Sequence, residues 1–236
     1  MKRNPASISK TIGIQSIKFP TGNPPRAHLY ARSESIYASV TSYVMVFVLK
    51  KSVQYFPGPG EVNTDETLKE AKIRADELGI KHIIVASTRG NTAVKALEVF
   101  KGNSVVVVPH VTGFREPSVQ ELGNEIQEKI RAGGGKIVIA AHAFSGVNRA
   151  IQAKFDTMFP VGIIAQTLRM FGQGTKVAVE IVAMATDTGV IPADEDVIAI
   201  AGSGKGADTA VVIKPANSRR LFDMVIKEII AKPCQL

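Results

Sequence analysis

Three short runs limit what this chain can fold into: His82–Ala86 (HIIVA), Ser104–Val108 (SVVVV) and Val197–Ala201 (VIAIA), which are apolar at every position after the first or throughout. A strand with one wet face alternates apolar and polar side chains. Strands that are apolar on both faces need cover on both sides, and helices on each face of a mostly parallel sheet provide it. The segments between these runs have helical spacing. Asn63 begins a helix in which Glu66 can reach back to the first amides, and Leu68, Ala71, Ile73, Ala75 and Leu78 form its buried side before Gly79 stops it. Thr92–Phe100 repeats the pattern with Val94, Leu97 and Phe100. A third helix is predicted from a Ser118 cap to about Ala132, with Leu122, Ile126 and Ile130 four residues apart, and Gly133–Gly135 release it into a strand at Lys136–Ala140.

Val161–Phe171 is apolar and helical, whereas Val46–Leu49, Val53–Phe56, Val177–Met184 and Ala210–Ile213 read as strands. Val225–Ala231 could finish a helix or form an edge strand; its Ile and Val favour the strand, whose unpaired ladder would invite self-association. The expected fold is a doubly wound α/β domain over 45–236 without repeats. Residues 1–44 scatter Ser, Pro and basic side chains with no sustained period and read as a tail, with Met45 as a candidate physiological start.

The formal charge of +8 invites a nucleic-acid reading until its distribution is counted. The first 44 residues hold six Lys or Arg and one Glu, or +5, which leaves +3 for the rest. No basic block interleaved with aromatics follows, so the expected partners exclude nucleic acid. The longest apolar run, Val44–Leu49, falls far short of the ~20 residues that span a bilayer. No secretory pattern opens the chain, and the one cysteine, Cys234, cannot form an internal disulfide, so a cytoplasmic setting without membrane association is expected.

Ligands of an open parallel sheet gather beyond the carboxyl ends of its strands. The loops expected there are 59–64, 87–92, 110–115, 142–146, 186–189 and 202–206, and each joins glycine to small or hydrogen-bonding side chains. Ser87, Thr88, Arg89, Gly90, Asn91 and Thr92 stand out because they join a buried strand directly to a helix start. Free amides, the helix dipole, hydroxyls and Arg89 would together hold a phosphate there, with Gly90 allowing the backbone to approach. The same spacing also suits an ordinary turn in which Thr92 only caps the helix.

The loop Gly202–Thr209 (GSGKGADT) matches neither a dinucleotide fingerprint nor a nucleotide-triphosphate loop, although Gly204, Lys205 and Gly206 can still touch an anion. His142, Ser145 and Arg149 are spaced H-x-x-S-G-x-x-R without a nucleophile elbow. His110 and His142 could approach each other, with Asp187 as a third ligand, but no i, i+4 pair supports a metal site and none is expected. Phe114 and Phe144 lie in the same loops and could cover a ring or pack the core.

Pro59-Gly60 with Asn63-Thr64, the STRGNTA loop at 87–93, His110 with Thr112-Gly113-Phe114, His142 with Ser145-Gly146, and the GADTAVV run at 206–212 together resemble the C-terminal α/β domain of pyruvate kinase, in particular stand-alone archaeal proteins of that domain family. The likeness extends from Val53 to Pro233. It implies a three-layer α/β/α sandwich with a mixed, mostly parallel sheet, a homo-oligomer, and flavin mononucleotide or another phosphorylated small molecule as ligand. It does not imply pyruvate kinase activity, because that chemistry belongs to a separate barrel of ~250 residues for which this chain has no room. The implied ligand-binding set is Asn63, Thr64, Ser87, Thr88, Arg89, Gly90, Asn91, Thr92, His110, Thr112, Gly113, His142, Ser145, Gly146, Gly204, Lys205 and Gly206. The alternative is an enzyme, either flavin-dependent or a hydrolase or transferase of a phosphorylated metabolite, with His110 or His142 as acid or base. Arg89 and Asp208 depart from the kinase pattern, which has a small hydroxyl residue and a neutral polar residue at these places.

Overall fold

The computed structural model of the chain describes residues 37–41, 44–48 and 50–235. Strands β1 (Tyr37–Thr41) and β2 (Val44–Val48) pair antiparallel as a two-stranded sheet, which crosses the expected boundary at Met45. The rest of the N-terminal extension lies outside the described residues.

The main sheet has seven strands in the order β3 (Gln54–Phe56), β9 (Val225–Pro233), β8 (Thr209–Lys214), β7 (Val197–Ala201), β4 (His82–Ala86), β5 (Ser104–Val108) and β6 (Lys136–Ile137). Four neighbouring pairs are parallel, and the two made by β8 are antiparallel, so β8 alone runs against the others. The sheet is mostly parallel and mixed, as the resemblance implies.

Side-chain alternation along these strands divides the core in two. Ile83, Val85, Val105, Val107, Ile198 and Ile200 enter one apolar layer with Leu68, Ala71 and Ala75 of α1 (Thr64–Leu78), Ala93 and Ala96 of α2 (Asn91–Val99), and Ile130 of α3 (Asn124–Ala132). Ile84, Val106, Val108, Ala199 and Val211 enter the other with α5 (Pro160–Arg169) and α6 (Gln173–Asp187). The two faces therefore carry separate helical layers, giving an α/β/α arrangement. Helix α1 ends at Gly79 in the left-handed region (φ 64), and the Ile80 amide returns to the Ala75 carbonyl, as a glycine stop requires.

Several expectations are corrected. Val177–Met184 is the middle of α6, not a strand. Twelve of that helix's fifteen residues are buried, so it is apolar nearly all round and loses the 3.6-residue stripe that would distinguish it from a strand. The third helix starts at Asn124 and not at Ser118, which has φ 64 in the preceding loop. Helix α4 (Gly146–Phe155) had no clear sequence signal, and it has no buried residue. Val225–Ala231 is a strand, and the short β3 pairs beyond it only at Ala231–Pro233, so β9 is covered on that side at its end alone among the described residues. Among the described residues no helix is long and apolar enough to cross a membrane.

Candidate functional site

Strands β4, β5 and β7 end at Ala86, Val108 and Ala201, and the loops that leave them line a crevice of about 710 Å³. Its opposite wall comes from α4, α5 and one side of α6, from Gln173 to Met184. Of the expected residues, Ser87, Thr88, Arg89, Asn91, Thr92, His110, His142, Ser145, Gly204, Lys205 and Gly206 line it together.

At the turn from β4 into α2, the Ser87 amide donates to the Val108 carbonyl, and Ser87 Oγ accepts from the Ala93 amide at 3.2 Å. This fixes the turn. The first bond of α2 runs from the Val94 amide to the Gly90 carbonyl, and among the described residues the amides of Gly90, Asn91 and Thr92 have no acceptor in the protein. Gly90 itself does not line the crevice, and packing requires glycine there. Its φ is +93, and a Cβ there would stand 2.1 Å from Ile126 Cγ2 of α3.

Four other expected residues hold the rim from behind. Asn63 Nδ2 donates to the Gly58 carbonyl, and the Thr64 hydroxyl donates to the Glu61 carbonyl while accepting from the Ala207 amide; both residues are buried outside the crevice lining. Thr112 is exposed and accepts a bond from Gln120 Nε2, and Gly113 bonds through its amide to the Val119 carbonyl. Neither lines the crevice, and Gly146 only opens α4. Asp208, fully buried, accepts from the Gly60 amide at 3.1 Å, the Ser203 amide at 3.0 Å and the Thr209 hydroxyl at 2.8 Å, tying the glycine loop to the 57–60 turn.

The histidines do approach each other, with ring centroids 5.6 Å apart. Phe114 stacks on His110 at 3.9 Å and on His142 at 5.1 Å, and the Arg149 guanidinium lies 5.4 Å above its ring. Phe144 is buried and lines the crevice from the core side. His110 Nδ1 is 2.7 Å from Glu121 Oε2, so this nitrogen carries a proton and Nε2, 3.4 Å from Thr88 Oγ1, has the free lone pair. Arg115 stands against the other Glu121 oxygen at 3.1 Å. In His142 the roles are fixed by the Val111 amide, which donates to Nε2 at 3.2 Å and leaves the proton on Nδ1, 3.7 Å from Glu180 Oε2.

Glu180 and Lys176, one turn apart on α6, form a buried ion pair at the crevice floor, and Glu180 also accepts from the Phe144 amide at 2.8 Å. Burial by itself would raise the Glu180 pKa. His142, the Lys176 charge and the Phe144 amide outweigh it and bring the group down to about 2. Burial lowers the Lys176 pKa, against the pull of Glu180.

Two of the crevice's cations are paired, Arg115 with Glu121 and Lys176 with Glu180. Arg89, Arg149, Arg169 and Lys205 line it with no carboxylate partner among the described residues. Asp187 lies apart, accepting from the Ser218 amide, and no group of three metal-ligating side chains occurs among the described residues.

Sequence reasoning missed Glu121, Arg169, Lys176 and Glu180. The last two carried a usable signal, a Lys and a Glu four apart inside an apolar run, which suits a helix and not a strand. The pyruvate kinase alpha/beta domain model matches residues 65–213, from the first turn of α1 to the penultimate residue of β8. The match covers more than half of the chain and every strand from β4 onward except β9, and on it the chain belongs to the pyruvate kinase alpha/beta domain family.

Proposed function

We propose that the crevice binds a phosphorylated small molecule, with its phosphate on the amides of Asn91 and Thr92. The observation that carries this reading is the coincidence, in one crevice, of the unpartnered amides of Asn91 and Thr92 with four cations that have no acidic partner among the described residues. A helix N-terminus attracts negative charge, and Arg89 and Lys205 add full charges from neighbouring loops. The volume falls in the range of small-molecule sites, roughly 300–1,000 Å³.

Flavin mononucleotide is the ligand we favour. Its phosphate suits the Asn91 and Thr92 amides, and the cluster of Phe114, His110 and His142 rings that lines the same crevice provides aromatic surface beside a planar ring. When bound, a flavin would supply hydride or electron transfer; these residues would only hold and orient it. Titration with flavin mononucleotide, riboflavin and inorganic phosphate tests the reading. The expected result is quenched fluorescence with flavin mononucleotide, relieved by phosphate, and about tenfold weaker binding in Arg89→Ala, the loss of one charge-assisted hydrogen bond. No quenching refutes the flavin, and no protection against unfolding by phosphate refutes the phosphate site.

A second reading, an enzyme of phosphorylated metabolites, is favoured by the line Glu121, His110, Thr88. It rests on His110 alone, since the acceptor nitrogen of His142 is taken. A homo-oligomer is supported by the apolar side chains around α4 and α5: Val147, Phe155, Met158, Ile163, Met170 and Phe171 are all exposed. Light scattering at increasing concentration tests it, and a monomer throughout refutes it. A cytoplasmic setting fits the single, unbridged Cys234.

A further inference from the structure

We propose that Thr88 is a phosphoryl acceptor, and that the chain moves phosphate from a phosphomonoester to water through a phosphothreonine at this position. The proposal rests on the phosphate site described above and goes beyond it by assigning chemistry to three side chains. Glu121 Oε2 holds His110 Nδ1 at 2.7 Å, and His110 Nε2 faces Thr88 Oγ1 at 3.4 Å. A carboxylate that fixes the tautomer, an imidazole with its lone pair outward and a hydroxyl at its tip make up a nucleophile, a base and an orienting group. The last contact is longer than a working hydrogen bond, as such contacts commonly are before substrate tightens them.

The position of Thr88 selects the substrate. It lines the crevice in the same turn as Asn91 and Thr92, whose amides are unpartnered, so a phosphate held there is within one turn of its hydroxyl. Phosphoryl transfer draws mainly on positioning and on positive charge around the equatorial oxygens, which Arg89, Lys205 and the amides supply.

In the first half-reaction Thr88 Oγ1 attacks phosphorus. The Oγ1–P bond forms as the bond from phosphorus to the substrate's alcohol oxygen breaks. The Thr88 proton passes to His110 Nε2 and then to the departing oxygen, which leaves as the neutral alcohol. In the second, water attacks phosphorus and gives a proton to His110. The Oγ1–P bond breaks, Thr88 recovers the proton, and inorganic phosphate departs. Glu121 acts as a positioning residue through His110.

The test uses the full chain with p-nitrophenyl phosphate, following release of p-nitrophenolate and, after acid quenching, the mass of the peptide that contains Thr88. One added phosphoryl group is expected on Thr88. Thr88→Val should lose both label and turnover while still binding inorganic phosphate by calorimetry, because the amides remain. Thr88→Ser should retain both. His110→Asn should slow release by at least ~10²-fold, the typical contribution of a general base. Glu121→Gln should slow it less and, in ¹⁵N NMR, release His110 from its single tautomer, a change that a purely structural role would not produce. Phosphate binding without label or turnover in the wild-type chain overturns this proposal and leaves the binding site standing. Turnover that persists in Thr88→Val overturns it in favour of direct attack by water. Failure to bind phosphate at all overturns both readings.

Discussion

The Val111 amide donates to His142 Nε2 across 3.2 Å, and this bond separates two histidines that look equivalent in the sequence. His142 has its lone pair engaged by the main chain and its proton toward Glu180, so it props the 109–123 loop against α6. His110 has its proton held by Glu121 and its lone pair toward the crevice. Both rings should therefore appear in ¹⁵N-edited spectra as the Nδ1–H tautomer, and only the His110 Nε2 signal should move when phosphate is added. A reversed tautomer for His142 would contradict the arrangement.

Replacing Gly90 tests whether the cradle's shape depends on α3. Alanine there meets Ile126 Cγ2 and must also hold φ near +93. Crowding and backbone strain together should cost about 2–4 kcal/mol in denaturant unfolding. Adding Ile126→Ala should relieve the crowding and leave the backbone cost, so the double variant should unfold at higher denaturant than Gly90→Ala. If the double variant is no better, the contact with α3 is not what requires glycine.

Asp208→Ala removes the acceptor of two amides and a hydroxyl at once. Left without partners, these donors should cost about 2–4 kcal/mol in stability. Hydrogen exchange should accelerate at Gly60 and Ser203 well before it changes in β4. Uniform acceleration over the whole sheet would show that Asp208 acts globally and does not pin this loop in particular.

Stability should fall with acid in two stages. Burial lowers the His82 pKa below its usual 6.5, so the unfolded chain takes up that proton first and stability drops as pH falls below about 6.5. Glu180 stays ionised down to about 2 against its usual 4.5, which contributes roughly 3 kcal/mol that is lost between those pH values. In Lys176→Met/Glu180→Leu the lower stage should vanish and the upper should persist. Lys176→Met alone, which strands a buried carboxylate, should cost about 3–5 kcal/mol, more than the double variant. Thermal melts from pH 7 to pH 2 read all of this, and an unchanged lower stage in the double variant would assign it to other carboxylates.

The sheet was legible wherever a strand had to satisfy two apolar layers. Ile83, Ile84 and Val85 alternate between the two core layers, so no polar residue is tolerated at any of them, and Val197–Ala201 obeys the same rule. Helix α6 defeated the periodicity argument because burial on nearly every side removes the stripe. The start of α3 was misplaced because Ser118 has the chemistry of a cap but sits in a loop with positive φ, and Gly123 precedes the helix instead.

At the crevice, the 87–92 turn could be read because a strand running straight into a helix start leaves amides free for local reasons. Asn63, Thr64, Thr112 and Gly113 fall outside the crevice lining, which sequence could not show, because a polar side chain on a rim serves a ligand or a neighbouring loop with the same atoms and only packing distinguishes the two. Glu121 lies eleven residues beyond His110, with an irregular loop between them, and no periodicity relates the pair.

Because β8 alone runs against its neighbours, the 202–208 segment is a hairpin whose two ends are both clamped in the middle of the sheet. It cannot swing away without tearing the β7 and β8 ladder, so it acts as a fixed jaw. Any gape of the mouth falls to the other side, to α4, which has no buried residue and so loses least by moving.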